Sequence, residues 1–158
     1  MSILNEEELD MQRDRYVLVV SPKEEEFKSF FQKDYFSSLL IDPLHEANMV
    51  EVARGVEAGY IDLSVVTSFK ALTNVILLHP EGMIFDNIDR IPKSDDRDYI
   101  CQTVLYALKK EEETPLNEDK WIDFSKFKVG ARCKQYPAYL EHIYNYLFKI
   151  EIPDDANA

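Results

Sequence analysis

Few residues of this sequence have the types and spacing that chemistry requires. His45 adjoins Glu46, a pair of types suited to general acid–base work. No nucleophile or ligand type stands near them, and geometry rather than adjacency makes a catalytic pair, so both are expected to be structural or solvent-exposed. His79 and His142 lie far in sequence from other ligand types, and three scattered histidines do not make a zinc motif. Asp86, Asn87, Asp89 and Arg90 follow the apolar run Met83–Phe85. Such a cluster could support a metal ion, but it more commonly caps a turn and forms a surface ion pair. Cys101 and Cys133 have no metal-binding spacing and are expected to be free thiols in a reducing compartment. Neither a metal nor a cofactor is expected.

These residues must be positioned by a chain of 158 residues, enough for one core that needs no disulfide or metal staple. With 30 acidic against 18 basic side chains the formal charge is −12, a field that repels nucleic-acid backbones and anionic membranes. The acidic start Met1–Glu8 does not resemble a secretory signal and no apolar run approaches the ~20 residues of a membrane helix, so a cytoplasmic location is expected. The 4 glycines leave little room for a glycine-rich phosphate loop.

Residues 1–15 read as an acidic arm or frayed helix, and Tyr16–Val20 as a strand. Ser21 and Pro22 then suit the start of a helix that carries Glu24, Glu25 and Glu26 in its first turn and Phe27, Phe30 and Phe31 on one face. After the run 36–41, residues 45–58 have helical period with Gly59 as the stop. Strands are expected at 38–42, 60–64, 83–86, 127–131 and 147–152, and helices at 67–78, from Ser94 onward and at 137–146. The segment around Pro115 reads as a polar loop. Alternating strands and helices predict an α/β fold, a three-layer sandwich around a mainly parallel sheet of five strands.

The order of these segments resembles the nucleotide-binding core of AAA+ ATPases, closest to the MoxR branch. Leu39–Ile41 is similar to the first core strand, and residues 42–49 take the place of its phosphate loop. Gly82–Pro92 resembles the Walker B segment, Trp121–Lys134 the sensor-1 strand, and Leu140–Pro153 the segment holding the arginine finger and last strand. The resemblance implies a sheet order of 5-1-4-3-2, with Asp42 and Asp86 expected at the ends of adjacent strands. It divides the chain into an extension over 1–35 and a lidless core over 36–158.

It also implies a degenerate nucleotide site at Asp42, His45, Asn48, Asp86, Asn87 and Lys134. The loop has no glycine or lysine to wrap a triphosphate, and Pro43 has no N–H to offer. Asn87 replaces the catalytic glutamate and cannot act as a base, Lys134 replaces the sensor asparagine, and Asn145 stands at the arginine-finger position. The expectation is therefore a protein that is not an enzyme. It would work by binding another protein, an active AAA+ ATPase or a basic protein, with no direct nucleic-acid or membrane contact. The alternative expectation is an acidic inhibitor, immunity protein or nucleic-acid mimic on an unrelated α/β fold. The candidate contact residues are Tyr136, Tyr139, Tyr144 and Tyr146, joined by the acidic run Glu111, Glu112 and Glu113.

Overall fold

The apolar runs that alternate with amphipathic segments form one sheet with helices on both faces. The computed structural model describes residues 17–117 and 120–149, with backbone alone at 117, 142 and 144–149. The expected arm over 1–15 and residues 150–152 of the last strand lie outside them. In chain order the elements are β1 (Leu18–Ser21), α1 (Glu24–Phe31), β2 (Ser37–Ile41), α2 (Met49–Gly55), β3 (Gly59–Asp62), α3 (Phe69–Leu77), β4 (Gly82–Asp86) and α4 (Arg97–Lys109). A hairpin of β5 (Thr114–Asn117) and β6 (Lys120–Ile122) follows, then β7 (Lys128–Cys133), a 3-10 helix (Ala138–Tyr146) and β8 (Leu147–Lys149).

Among the described residues the main sheet has 6 strands in the order β3-β4-β7-β2-β1-β8, and every neighbouring pair is parallel. The α/β class and the parallel sheet match the expectation, but the order 5-1-4-3-2 does not hold. Strand β1, assigned to the extension over 1–35, inserts between β2 and β8. Its residues Leu18, Val19 and Val20 are buried, as suits a strand inside a parallel sheet, where neighbours pair both edges and the flanking layers cover both faces.

Side chains alternate across this sheet. Leu40 and Ile84 pack with Phe27 and Phe31 of α1 and with Met49, Val52 and Ala53 of α2. Leu39, Met83, Phe85, Val129 and Ala131 pack on the other face with Leu72 and Ile76 of α3 and Ile100, Val104 and Leu108 of α4. The chain steps one way along the sheet from β1 through β2 to β3, then turns and steps back through β4 and β7 to β8. Crossovers of a single hand put the two sets of helices on opposite faces. Gly130 is required where α1 crosses β7, because a Cβ there would lie 2.5 Å from Phe27 and 2.8 Å from Phe31.

Several boundaries differ from expectation. α1 begins at Glu24, and Ser21 accepts from Lys23 N instead of capping the helix directly. α2 is shorter than 45–58 because residues 42–48 fold as a loop, and its turn is closed by Glu57 at φ 58° while Gly59 opens β3. The helix expected at 67–78 is α3. The supposed polar loop around Pro115 contains β5, paired antiparallel with β6. Residues 138–146 wind as a 3-10 helix. Among the described residues no helix is long and apolar enough to cross a membrane.

Candidate functional site

The carboxyl ends of β2, β3, β4 and β7 converge on a cluster of polar side chains built around Arg132. The loop after β2 leaves toward α2 on one face, while the chain after the neighbouring β7 leaves toward the 3-10 helix on the other. Ligand crevices of open α/β sheets form at such a reversal. Here the space is taken by the protein's own guanidinium.

Arg132 is 3% exposed. Its Nε donates to Asp86 Oδ1 at 2.6 Å and its Nη2 to Asp86 Oδ2 at 2.9 Å, the two-pronged geometry that suits a carboxylate. Nη1 donates to Asp42 Oδ2 at 3.0 Å and to the Ala47 carbonyl at 2.9 Å. Nη2 also faces His45 Nε2 at 3.3 Å. A guanidinium has five N–H donors; the two carboxylates and the Ala47 carbonyl accept four of them, and His45 Nε2 accepts the fifth in the tautomer that carries its proton on Nδ1.

The carboxylates are held as firmly. Burial raises the Asp42 carboxyl, but N–H donation from Ala47 and Glu46 and the Arg132 charge outweigh it and leave it below the usual range. Asp42 Oδ2 accepts from Ala47 N at 2.8 Å, and its carbonyl accepts from His45 N at 3.0 Å, closing the loop that replaces a helical start. Tyr60 donates its hydroxyl to Asp86 Oδ2 at 2.6 Å; burial, then this bond and the Asp86 charge, push the phenol well above its ordinary value. Asp62 Oδ1 accepts from Ser64 N, from the Ser64 hydroxyl and from Asn87 Nδ2. Asn87, buried at φ 55°, and His45 at φ 56° are both left-handed, a conformation that asparagine and histidine tolerate better than most residues. Asn87 Oδ1 has no hydrogen-bond partner among the described residues.

Of the residues expected at the degenerate site, Asp42, His45 and Asp86 come together, and Asn87 joins by donating its backbone N–H to Asp86 Oδ1 at 2.9 Å. Asp42 and Asp86 are not on adjacent strands: β7 runs between β2 and β4, and its Arg132 bridges them. Asn48 is the N-cap of α2, accepting from Glu51 N at 3.2 Å. The Lys134 side chain is exposed, and its backbone N–H donates to Asp89 Oδ2 at 3.1 Å. Arg132, Tyr60 and Asp62 were not singled out from the sequence. The signal was present in Val129-Gly-Ala-Arg-Cys133: an arginine inside an apolar strand must find carboxylates when buried. Among the described residues no group of three or more His, Cys, Asp or Glu could hold a metal ion.

The expected contact residues divide between two ends of the molecule. Tyr136 and Tyr139 line an open groove beside the amino-terminal half of α4. Glu111, Glu112 and Glu113 lie beyond its carboxyl end, and 13 helical residues span about 20 Å. Tyr139 is not an exposed anchor: it is half-buried, and its hydroxyl donates to the Ile88 carbonyl at 2.6 Å. The side chains of Tyr144 and Tyr146 lie outside the described residues. Cys133 is buried, and burial pushes its thiol up to about 12; Cys101 is half-buried with its thiol also raised by burial. No protein-family model matches this sequence, and no curated protein matches it significantly.

Proposed function

We propose that this protein is a catalytically inactive interaction module on an AAA+-like α/β scaffold. The single observation that carries the reading is the engagement of Arg132, which gives four of its five donors to Asp42, Asp86 and Ala47 and turns the fifth toward His45 Nε2. A phosphoryl group needs unengaged donors and a metal ion needs unengaged carboxylates. At this edge both are spent on each other. Asp86 is committed to a guanidinium and a tyrosine, and among the described residues no activated nucleophile adjoins the cluster.

The run β3-β4-β7-β2, with acids ending β2 and β4, supports descent of the site from a nucleotide-binding edge. The partner is a protein, and an active AAA+ ATPase or a protein with a basic face are the partners that the scaffold and the −12 charge suggest. Titration calorimetry with Mg·ATP is expected to give no binding heat. Micromolar binding that an Asp86→Asn substitution abolishes would overturn the reading.

A further inference from the structure

We infer that the outer face of the β5–β6 hairpin, centred on Trp121, is the docking site for an arginine-bearing basic segment of a partner protein. The inference rests on the interaction-module reading and adds a site, an anchor residue and the chemistry of what that site takes. The hairpin precedes the amino end of β7, whereas the Arg132 cluster occupies the carboxyl ends of the strands.

Trp121 is the one tryptophan of the chain, and it is 60% exposed. It stands directly opposite Pro115 in the antiparallel ladder, so the two side chains share a face. The alternate positions turn inward: Thr114 and Leu116 are buried, and Ile122 packs against the core. The base of the hairpin is closed at the Glu111 carbonyl, which accepts from Phe124 N at 2.9 Å and from the Thr114 hydroxyl at 3.4 Å. A platform fixed in this way lowers the entropic cost of binding, and tryptophan is enriched among the side chains that anchor interfaces.

Two independent features set the sign of the occupant. The face of an indole carries negative π density, which attracts a cation, arginine more often than lysine, and repels a carboxylate. Around it, residues 111–123 hold six acids (Glu111–Glu113, Glu118, Asp119 and Asp123) against Lys120 alone, a net of −5. Glu111 is paired with Lys109 at 3.2 Å, while Glu112 and Glu113 are exposed and form no ion pair among the described residues. The extended backbone from Trp121 to Asp123 returns the Asp123 side chain to the Trp121 face, ~7 Å along the strand, and sends Lys120 to the other face with Ile122. Lys126, the exposed cation beside Asp123, offsets one of these charges and leaves the excess negative. A guanidinium seated on the indole therefore has carboxylates within reach, and further basic residues of the same segment meet Glu112 and Glu113. An acidic segment or a phosphate backbone meets repulsion from both the ring and the acids.

The test uses the full chain and follows the fluorescence of Trp121 at about 0.1 M salt, where charges beyond ~10 Å are screened. The probe is an octapeptide in which Arg alternates with Ser and Gly, and the controls replace every Arg by citrulline or by Glu. The arginine peptide is expected to change the emission of Trp121 saturably and to bind at least about fivefold tighter than the citrulline peptide. The glutamate peptide should leave the emission unchanged. Trp121→Leu, at an exposed position, should weaken a labelled arginine peptide by about threefold to fivefold, read by anisotropy. Glu113→Asn combined with Asp123→Asn should weaken it by a similar factor. Asparagine suits the left-handed backbone of Glu113 at φ 48° and still accepts from Ser125 N, so lost binding would not reflect lost folding. A response that does not saturate, equal binding of the citrulline peptide, or unchanged binding by both variants would overturn the assignment. Spermine binding as tightly as the peptide would also overturn it, by making the ligand a small polyamine. The interaction-module reading fails separately, if Mg·ATP binds at the Asp86 edge.

Discussion

Arg132 and Asp86 face each other across neighbouring strands, one step beyond the register pair Phe85–Ala131, with two parallel contacts of 2.6 and 2.9 Å. The side chains are 4% and 3% exposed, so neither charge has water to fall back on. A buried pair of this kind contributes little net stability against apolar replacements, yet removal of one partner strands the other.

Arg132→Met should therefore destabilise the fold by about 3–5 kcal/mol, read as a lower urea midpoint. Asp86→Asn combined with Arg132→Met should recover part of that loss because only Asp42 is left unpaired. A double mutant no more stable than the single one would mean that the pair is not the source of the cost.

Arg132→Ser should convert the cluster from a filled site into an acidic one. Asp42 and Asp86 then have oxygens free for a hard cation, with water completing the shell. Millimolar Ca²⁺ or Mn²⁺ is expected to raise the melting temperature of this variant and leave the wild type unchanged, by the mass action of binding to the folded form. An equal response of both proteins would show that the guanidinium does not stand where a cation would.

Lys110 should give the fold a stability that rises with alkaline pH. It closes α4 at φ 58°, its ammonium donates to the Phe127 carbonyl, and burial pushes its pKa down to about 8. The unfolded chain keeps this proton until about pH 10.4, so between the two values the unfolded state binds more protons and stability increases with pH. Lys110→Met lacks the term. Its stability relative to wild type should be highest near neutrality and fall as pH rises through that window, measured by urea midpoints at about pH 7.5 and 10. A constant difference would refute the assignment.

Gly130→Ala should cost about 1–3 kcal/mol, because the added methyl overlaps Phe27 and Phe31 in a close-packed layer. Phe27→Leu in the same chain should return part of the loss by vacating the ring position. Additive destabilisation of the two changes, measured by chemical denaturation, would indicate that α1 does not lie over β7 at this point.

The sequence by itself determined the α/β class, because apolar runs such as Leu39–Ile41 and Met83–Phe85 alternate with segments of helical period such as 67–78. It also determined that Asp42 and Asp86 close two of those runs. Such features are local: period, capping and chain breakers act within a few residues. Only the tertiary structure decided that β1 lies inside the sheet, that β7 separates the strands of Asp42 and Asp86, and that Arg132 bridges them. These depend on contacts between residues 46 and 90 positions apart, and no local pattern encodes which strands become neighbours. The same holds for Tyr136 and Tyr139, whose composition suggested an aromatic contact surface. Folding placed them beside Arg97 and Lys134 rather than beside Glu111–Glu113, because α4 separates its two ends by its own length.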